Sequence, residues 1–265
     1  MIEQSVADTT VLRTMFAAEL PHAEAAAGHL AGTGHGRWWL DRAEDPQAVA
    51  VEVAGNWLLR GDPDALPVDQ LRGLIRGFVD APAEFEPVLK AVGDQVTSWP
   101  RVYFVLDGDV IAPPTPPDAE IRPLRVEDAD AVAGLSEPLA WITRTWGGPA
   151  GLATSRLAWG AFVDGELASV ACTFFLGFRH EELAAVTEPH ARRRGLSTAC
   201  AAALCADIRA RGRRPGWSTS AANAASRSTA ERLGFHLVRE GLLYAVDVDV
   251  PPDDDAESPS TAVVH

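Results

Sequence analysis

The chain has 265 residues, 47% of them hydrophobic and 23% charged, with a formal net charge of −14 at pH 7. That is enough apolar material for one large domain or two modest ones, and so negative a charge sets the chain against nucleic-acid phosphates and favours cationic partners. No apolar run approaches the roughly 18 residues of a membrane span, the N-terminal stretch lacks a basic-then-apolar leader, and the three cysteines form neither a CxxC pair nor a His/Cys cluster, so a soluble cytoplasmic protein with reduced thiols, no membrane contact and no metal site is expected.

Taken in chain order, "RTMFAAELPHAEAAAGHL" reads as a helix, and "GTGHG" (Gly32 to Gly36) as a loop with the wrong spacing for a nucleotide-binding turn. "QAVAVEVAGNWLLRG" predicts two strands around a Gly-Asn turn. "VDQLRGLIRGFVD" places Leu71, Leu74, Ile75 and Phe78 at helical spacing, and "RVYFVLDGDV" predicts a strand ending in an Asp-Gly turn. Four prolines in "APPTPPDAE" (Ala112 to Glu120) break the pattern and read as a stiff extended linker. The expected organisation is an N-terminal α/β domain over residues 1–111, a linker over 112–118, a second domain over 119–250 and a disordered acidic tail over 251–265.

The second part continues as strand, helix, a hairpin through Asp164-Gly165, and a strand "EELAAVT" with Leu183, Ala185 and Thr187 on one face. A helix follows from about Leu196, with an apolar stripe of Leu196, Ala199, Cys200, Ala203, Leu204 and Ile208 and a stop at Gly212. Then come a strand "PGWSTS", a helix "AASRSTAERLG", and a final hairpin in "FHLVREGLLYAVDVDV". The fold class is α+β, three layers (α/β/α), with a mixed and mostly antiparallel sheet.

"HARRRGLSTACAAALC" concentrates Arg192, Arg193 and Arg194 ahead of Gly195 at the start of that helix. The first turn of a helix leaves backbone N–H groups unpaired at the positive end of its dipole, and a glycine lets a ligand approach the backbone. Together these suit a phosphate or pyrophosphate. From the residues alone, a solvated basic turn stays open as the alternative.

Arg192-Arg193-Arg194-Gly195-Leu196-Ser197 resembles the R/Q-x-x-G-x-G/A segment of the GNAT superfamily of acyl-CoA-dependent N-acetyltransferases, with Pro189 where many members have a proline. "NAASRSTAERLGF" (Asn223 to Phe235) is similar to that superfamily's N-x-x-A-…-L-G-F ending, and its surroundings resemble the branch that includes the zwittermicin A resistance protein. The resemblance covers about residues 119–248 and implies a GNAT fold with acetyl-CoA between two splayed strands. It places the pyrophosphate on Arg193 to Ser197, the pantetheine arm along Ala185, Val186 and Thr187, and a hydrogen bond to that arm from Asn223. Arg192, Arg194, Thr198, Ser226 and Arg227 join Leu196 and the rest of the loop as cofactor-binding residues. It also makes the first 111 residues a degenerate GNAT-like partner.

The implied reaction is direct attack of a neutral primary amine on the thioester, which needs a group to take a proton. Gapless counting back from the arginines puts Glu181 where some GNAT enzymes carry a basic glutamate. Glu182 and Glu188 are alternatives sharing the opposite face, and all three also read as surface carboxylates. The usual helix tyrosine is replaced by Ala230, leaving Ser228 or Tyr244 as candidate proton donors, and Ser197 replaces the last small residue of the loop. "GLSTA" lacks the strand-to-helix elbow and the partner residues of a serine hydrolase. A non-catalytic acyl-CoA-binding module is the alternative to an enzyme. The expected acceptor is a small cationic amine, for which Trp141, Trp146, Trp159 and Trp217 are candidate contacts beside their packing role, and a homodimer is left open.

Overall fold

A computed structural model describes residues 1–251. Twelve strands form one mixed, mostly antiparallel sheet. They are β1 Ile2–Glu3, β2 Arg37–Leu40, β3 Ala48–Val53, β4 Asn56–Gly61, β5 Gly77–Asp80, β6 Val96–Val105, β7 Glu120–Pro123, β8 Ala158–Val163, β9 Glu166–Leu176, β10 His180–Thr187, β11 Arg214–Ser220 and β12 His236–Val246. The helices are α1 Thr10–Met15, α2 Ala25–Thr33, α3 Val68–Leu71, α4 Glu86–Val92, α5 Ala129–Ala133, α6 Pro149–Ser155, α7 Leu196–Ala210 and α8 Ala224–Arg232.

The strand order is β1-β2-β3-β4-β5-β12-β6-β11-β10-β9-β8-β7. Two neighbouring pairs are parallel, β4 with β5 and β10 with β11. Beside β5 lies β12, beside β11 lies β6, and these two long strands pair with each other in the middle. A half-turn about the β6–β12 pair therefore exchanges the two halves of the sheet. The C-terminal half is completed by a strand from the first 111 residues, and the N-terminal half by the last strand. The break at the proline-rich segment is not a break in the sheet.

The alternation of side chains in strands sorts the core by face. One face carries Val49, Val51 and Leu58 from the N-terminal half and Val170, Cys172, Ala184 and Val186 from the C-terminal half. It is covered by α1, α2, α5, α6 and a 3₁₀ segment, Glu137–Trp146. On the opposite face, Leu196, Cys200, Leu204 and Ile208 of α7 pack with Leu183 and Phe104. Leu71 and Leu89 of α3 and α4 pack there with Trp57 and Val79. Burial pushes the Cys172 and Cys205 thiols well above their ordinary range, and both act as packing groups.

Several local expectations change. The first predicted helix is two, because Pro21 cannot continue a helix and His22 takes φ 83°. "VDQLRGLIRGFVD" is helical only over Val68–Leu71; Gly73 (φ 74°) ends it and Gly77 onward is β5. The predicted final hairpin is a single strand, β12, with a register shift between Leu237 and Arg239, since β6 pairs with it straight through Gly241 and β5 joins it from Leu243. Ala112, Pro113 and Thr115 of the linker line a surface pocket together with Ala199, Ala202, Ala203 and Ala206 of α7. The acidic tail beyond residue 251 falls outside the described residues.

Candidate active site

β10 and β11 pair only from His180–Glu182 to Arg214–Gly216. From Leu183 and Trp217 onward each strand pairs only with its outer neighbour, β9 or β6, so the two diverge into a V. The inner edge of β10 thus presents backbone groups that β11 does not pair from Leu183 to Thr187, with the Thr187 carbonyl taken by Arg192 Nε (3.4 Å), an edge that an extended ligand can join.

At the open end, Gly195 adopts φ 76° and Arg193 φ 61°, turning the chain into α7. The first backbone bond into the helix runs from Ala199 N–H to Gly195 C=O, with no side-chain cap, so the N–H groups of Leu196, Ser197 and Thr198 have no carbonyl of an earlier turn behind them. These groups face a cleft of about 520 Å³ lined by Thr187, Arg192, Arg193, Gly195, Ser228 and Arg232, among others. A Cβ added at Gly195 would meet nothing within 4 Å, so the side left bare by the glycine is open. Unpaired N–H groups, the helix dipole and three arginines give this end the chemistry that suits a phosphate.

A buried polar cluster occupies the apex, on the α2 side of the sheet. Glu182 is 2% exposed; its Oε1 lies 3.0 Å from Nδ1 of His22, and its Oε2 has no hydrogen-bond partner. A Cβ at Gly216 would come within 2.7 Å of that Oε2, so glycine there leaves room for the carboxylate directly over the last paired residue of β11. His22 Nδ1 is also 2.8 Å from Ser218 Oγ, to which Arg101 Nη2 donates (3.4 Å). Tyr103, whose ring is 5.2 Å from that of His22, has a buried hydroxyl without a partner, and burial raises its phenol pKa well above the ordinary value, keeping it protonated.

The profile of the GNAT acetyltransferase family matches residues 22–244. The chain is a GNAT acetyltransferase. It is 43% identical over 198 residues, 74% of its length and 83% of the relative's, to an uncharacterized N-acetyltransferase encoded in the mutA 5′ region of Streptomyces virginiae. Its fold is similar to that of a GCN5-related N-acetyltransferase-like protein from Streptococcus suis (TM-score 0.69, 18% identity, covering 91% of this chain and 99% of that one). It is likewise similar to a tandem GNAT protein from the clavulanic acid biosynthesis pathway (TM-score 0.58, 14% identity, 94% and 99%).

Membership of the family implies an acyl-CoA co-substrate, and the cleft at the start of α7 fits one: it offers N–H donors and cations for phosphates at the mouth of a backbone edge that an arm can follow. Of the residues expected there, Thr187, Arg192, Arg193, Gly195, Leu196, Ser197, Thr198 and Ser228 line the cleft together. Ala185 and Val186 lie on the unpaired stretch of β10; the Val186 carbonyl accepts a hydrogen bond from Ser169 Oγ (2.7 Å). Asn223 caps α8 by accepting from Ser226 N–H (2.9 Å), which leaves its Nδ2 as the donor for an arm.

Other candidates in the acetyltransferase stand elsewhere. Arg194 pairs with Asp118 in the linker (2.5 Å), Ser226 Oγ accepts from Trp217 Nε1 (3.0 Å), and Arg227 donates to the Ala221 carbonyl (3.1 Å). Glu181 faces the α7 side with both oxygens engaged, by Thr173 Oγ1 (2.6 Å) and by Arg211 at the far end of α7 (2.7 and 3.1 Å). Glu188 accepts from Ser136 N–H (2.8 Å) and so ties the loop ahead of the 3₁₀ segment. Tyr244 is wholly buried in the N-terminal half, paired with Val79 and Ser98. Ala230 faces the core beneath α8.

The four tryptophans are packing residues: Trp141 and Trp146 lie in the core, Trp159 donates to Asp207 (2.8 Å), and Trp217 packs on Phe235. Sequence analysis missed Arg232, His22, Tyr103 and Ser218. Only Arg232 carried a signal, one helical turn after Ser228 in the segment with the family ending. Among the described residues no helix is long and apolar enough to cross a membrane, and no group of three or more potential metal ligands converges.

Proposed function

We propose that the protein transfers the acetyl group of acetyl-CoA to a primary amine of a small molecule by direct attack. The observation that carries this is the pairing, along one V-shaped opening, of a phosphate-binding loop at its mouth with a buried carboxylate, partnerless at Oε2, at its apex. The loop N–H groups of residues 196–198 with Arg192, Arg193 and Arg232 hold the phosphates. The inner edge of β10 and Asn223 Nδ2 hold the arm. Acetyl-CoA supplies the activated acyl group and a thiol leaving group.

Glu182 is the proton acceptor. A primary ammonium has a pKa near 10.4 and must lose a proton before it can attack. Glu182 Oε2 lies at the apex, whereas both Glu181 oxygens are held by Arg211 and Thr173. Tyr103, protonated and with no hydrogen-bond partner at its hydroxyl, gives its proton to the departing sulfur and regains one from the nitrogen as the amide forms. The apex lies under α2 and the 3₁₀ segment, an enclosure suited to a small acceptor, and the net charge of −14 draws a cation towards it. Affiliation with the branch that includes the zwittermicin A resistance protein belongs to this reading and points the same way.

The N-terminal half is a degenerate GNAT-like unit. Its parallel pair β4–β5 would open in the same way after Leu58 and Asp80, but Arg60 crosses the gap. Its guanidinium donates to the Leu59 and Asp80 carbonyls (2.8 and 3.1 Å) and to the carboxylates of Glu24 and Asp80 (2.9 and 2.5 Å). No arginine-glycine loop precedes α3, which has four residues.

The test is release of free CoA from acetyl-CoA in the presence of 2-phenylethylamine, 1,4-diaminobutane and glucosamine. Release with at least one of them, reduced in kcat by about 10²–10⁴ in Glu182→Gln, is expected. Binding of acetyl-CoA without release across the panel would instead make the protein a non-catalytic acyl-CoA-binding module.

A further inference from the structure

The apex is built from both halves of the chain. Residues 19–24 leave the N-terminal half, cross the α2 side of the sheet and are fastened at each end. Glu19 accepts from the N–H groups of Phe178, Arg179 and His180, in the turn from β9 to β10. Glu24 is held by Arg60 and accepts from Leu20 N–H, and Arg239 of β12 donates to the Pro21 carbonyl (3.2 Å). Between these anchors His22 sits at φ 83°, a conformation costly for a side chain with a Cβ and one that persists where surrounding contacts over-determine it. It is 2% exposed, and Nδ1 reaches Glu182 and Ser218.

In the tautomer with its hydrogen on Nδ1, that hydrogen lies between Glu182 Oε1 (3.0 Å) and Ser218 Oγ (2.8 Å); with Glu182 ionised it holds Oε1 and leaves Oε2 as the oxygen over Gly216. We propose that His22 is a positioning residue: supplied by the N-terminal half, it fixes the Glu182 carboxylate so that Oε2 is the proton acceptor at the apex of the opening. This rests on the acetyltransferase function and gives the degenerate half a part in the reaction. The acceptor ammonium passes one proton to Oε2, and its nitrogen then forms the bond to the acetyl carbon as the carbon–sulfur bond breaks. The Tyr103 hydroxyl protonates the departing thiolate, and the second proton shed by the nitrogen as the amide forms restores that hydroxyl. His22 holds its own proton throughout.

The test uses the full chain and two variants, His22→Gly and Glu182→Gln. Glycine occupies φ 83° freely, so His22→Gly removes the imidazole while keeping the backbone path. In proton NMR the wild type should show a strongly deshielded imidazole N–H that is lost in His22→Gly and displaced in Glu182→Gln. In CoA release with whichever of the three amines is turned over, His22→Gly should lose about 10²-fold in kcat, as for a misplaced reacting group, at unchanged KM for acetyl-CoA and with partial restoration by added imidazole. The proposal is overturned if no such resonance exists, if Glu182→Gln leaves it unmoved, or if His22→Gly turns over as the wild type does. Should none of the amines release CoA, the acetyltransferase function fails, while the resonance still decides whether His22 holds Glu182.

Discussion

Arg60 offers the sharpest quantitative check on how the two halves differ. Its side chain is 18% exposed and lies between Glu24 and Asp80, whose side chains are 10% and 5% exposed. Arg60→Ala leaves two buried carboxylates facing each other with only the more distant Arg239 Nη2, 3.9 Å from Asp80, as a cation, and two strand carbonyls without their donor. Removing one partner of a buried ion pair costs about 3–5 kcal/mol; partial exposure of the guanidinium sets the lower end, about 3 kcal/mol. For a chain of this size each kcal/mol moves the midpoint by roughly 2–4 °C, so calorimetry should show a fall of about 6–12 °C. Glu24→Gln, Arg60→Met and Asp80→Asn combined remove every charge of the triad and should recover most of the loss. Acetyl-CoA should bind Arg60→Ala at one site per chain, because no phosphate-binding loop serves the second gap. A midpoint within about 2 °C of wild type, less than one kcal/mol, would mean that solvent already compensates these charges and that Arg60 does not hold β4 and β5 together.

Three further outcomes follow from the same contacts. Glu181→Gln should lower the unfolding midpoint by several degrees through its contacts with Arg211 and Thr173 while the folded enzyme keeps its rate of CoA release; Glu182→Gln should lose the rate. Asn223→Asp should keep the α8 cap and the midpoint but weaken acetyl-CoA binding through loss of Nδ2, whereas Asn223→Ala should also lose about 1 kcal/mol of stability. His29 is held neutral, donating Nε2–H to the Thr145 carbonyl (2.8 Å) and accepting from Leu176 N–H (3.2 Å), and burial lowers its pKa to about 4. The unfolded chain, with a histidine pKa near 6.5, binds the proton more readily, so this contribution is complete above about pH 6.5 and is lost as pH falls towards 4, up to ~3 kcal/mol. Acid titration of the midpoint should show that loss, and His29→Gln should flatten it.

What could be read from the sequence is what local chemistry decides. The apolar stripe of α7, the arginines and glycine ahead of it, and the Asn223 cap of α8 are all settled within a few residues of themselves. The β8–β9 hairpin through Asp164-Gly165 was equally local, and so were the strands β3 and β4, although their turn falls at Ala54-Gly55, one residue before the expected Gly-Asn. The sheet centre was not. β12 looked like a hairpin because Gly241 resembled a turn, and only the pairing with β6 carries it straight through that residue. β5 hid behind a helical spacing that Gly73 and Gly77 interrupt.

The apex was harder still. His22 and Glu182 are 160 residues apart, and their contact depends on the anchoring of residues 19–24 to the β9–β10 turn, to Arg60 and to Arg239, each far away in sequence. Counting along β10 could not say which of two neighbouring glutamates met arginines and which met a histidine. Nothing in the sequence around Arg60 signals the gap it crosses, which only the pairing of β4 with β5 creates.

Calorimetric titration of acetyl-CoA into the wild type and into Gly195→Glu tests the central claim most directly. At Gly195 a glutamate would have to adopt φ 76° and would set a carboxylate beside the N–H groups of residues 196–198. Binding at one site per wild-type chain, lost in a variant that stays folded, is the expected result. Absence of binding by the folded wild type, or undiminished binding by Gly195→Glu, would contradict the assignment of the α7 loop to the phosphates of coenzyme A.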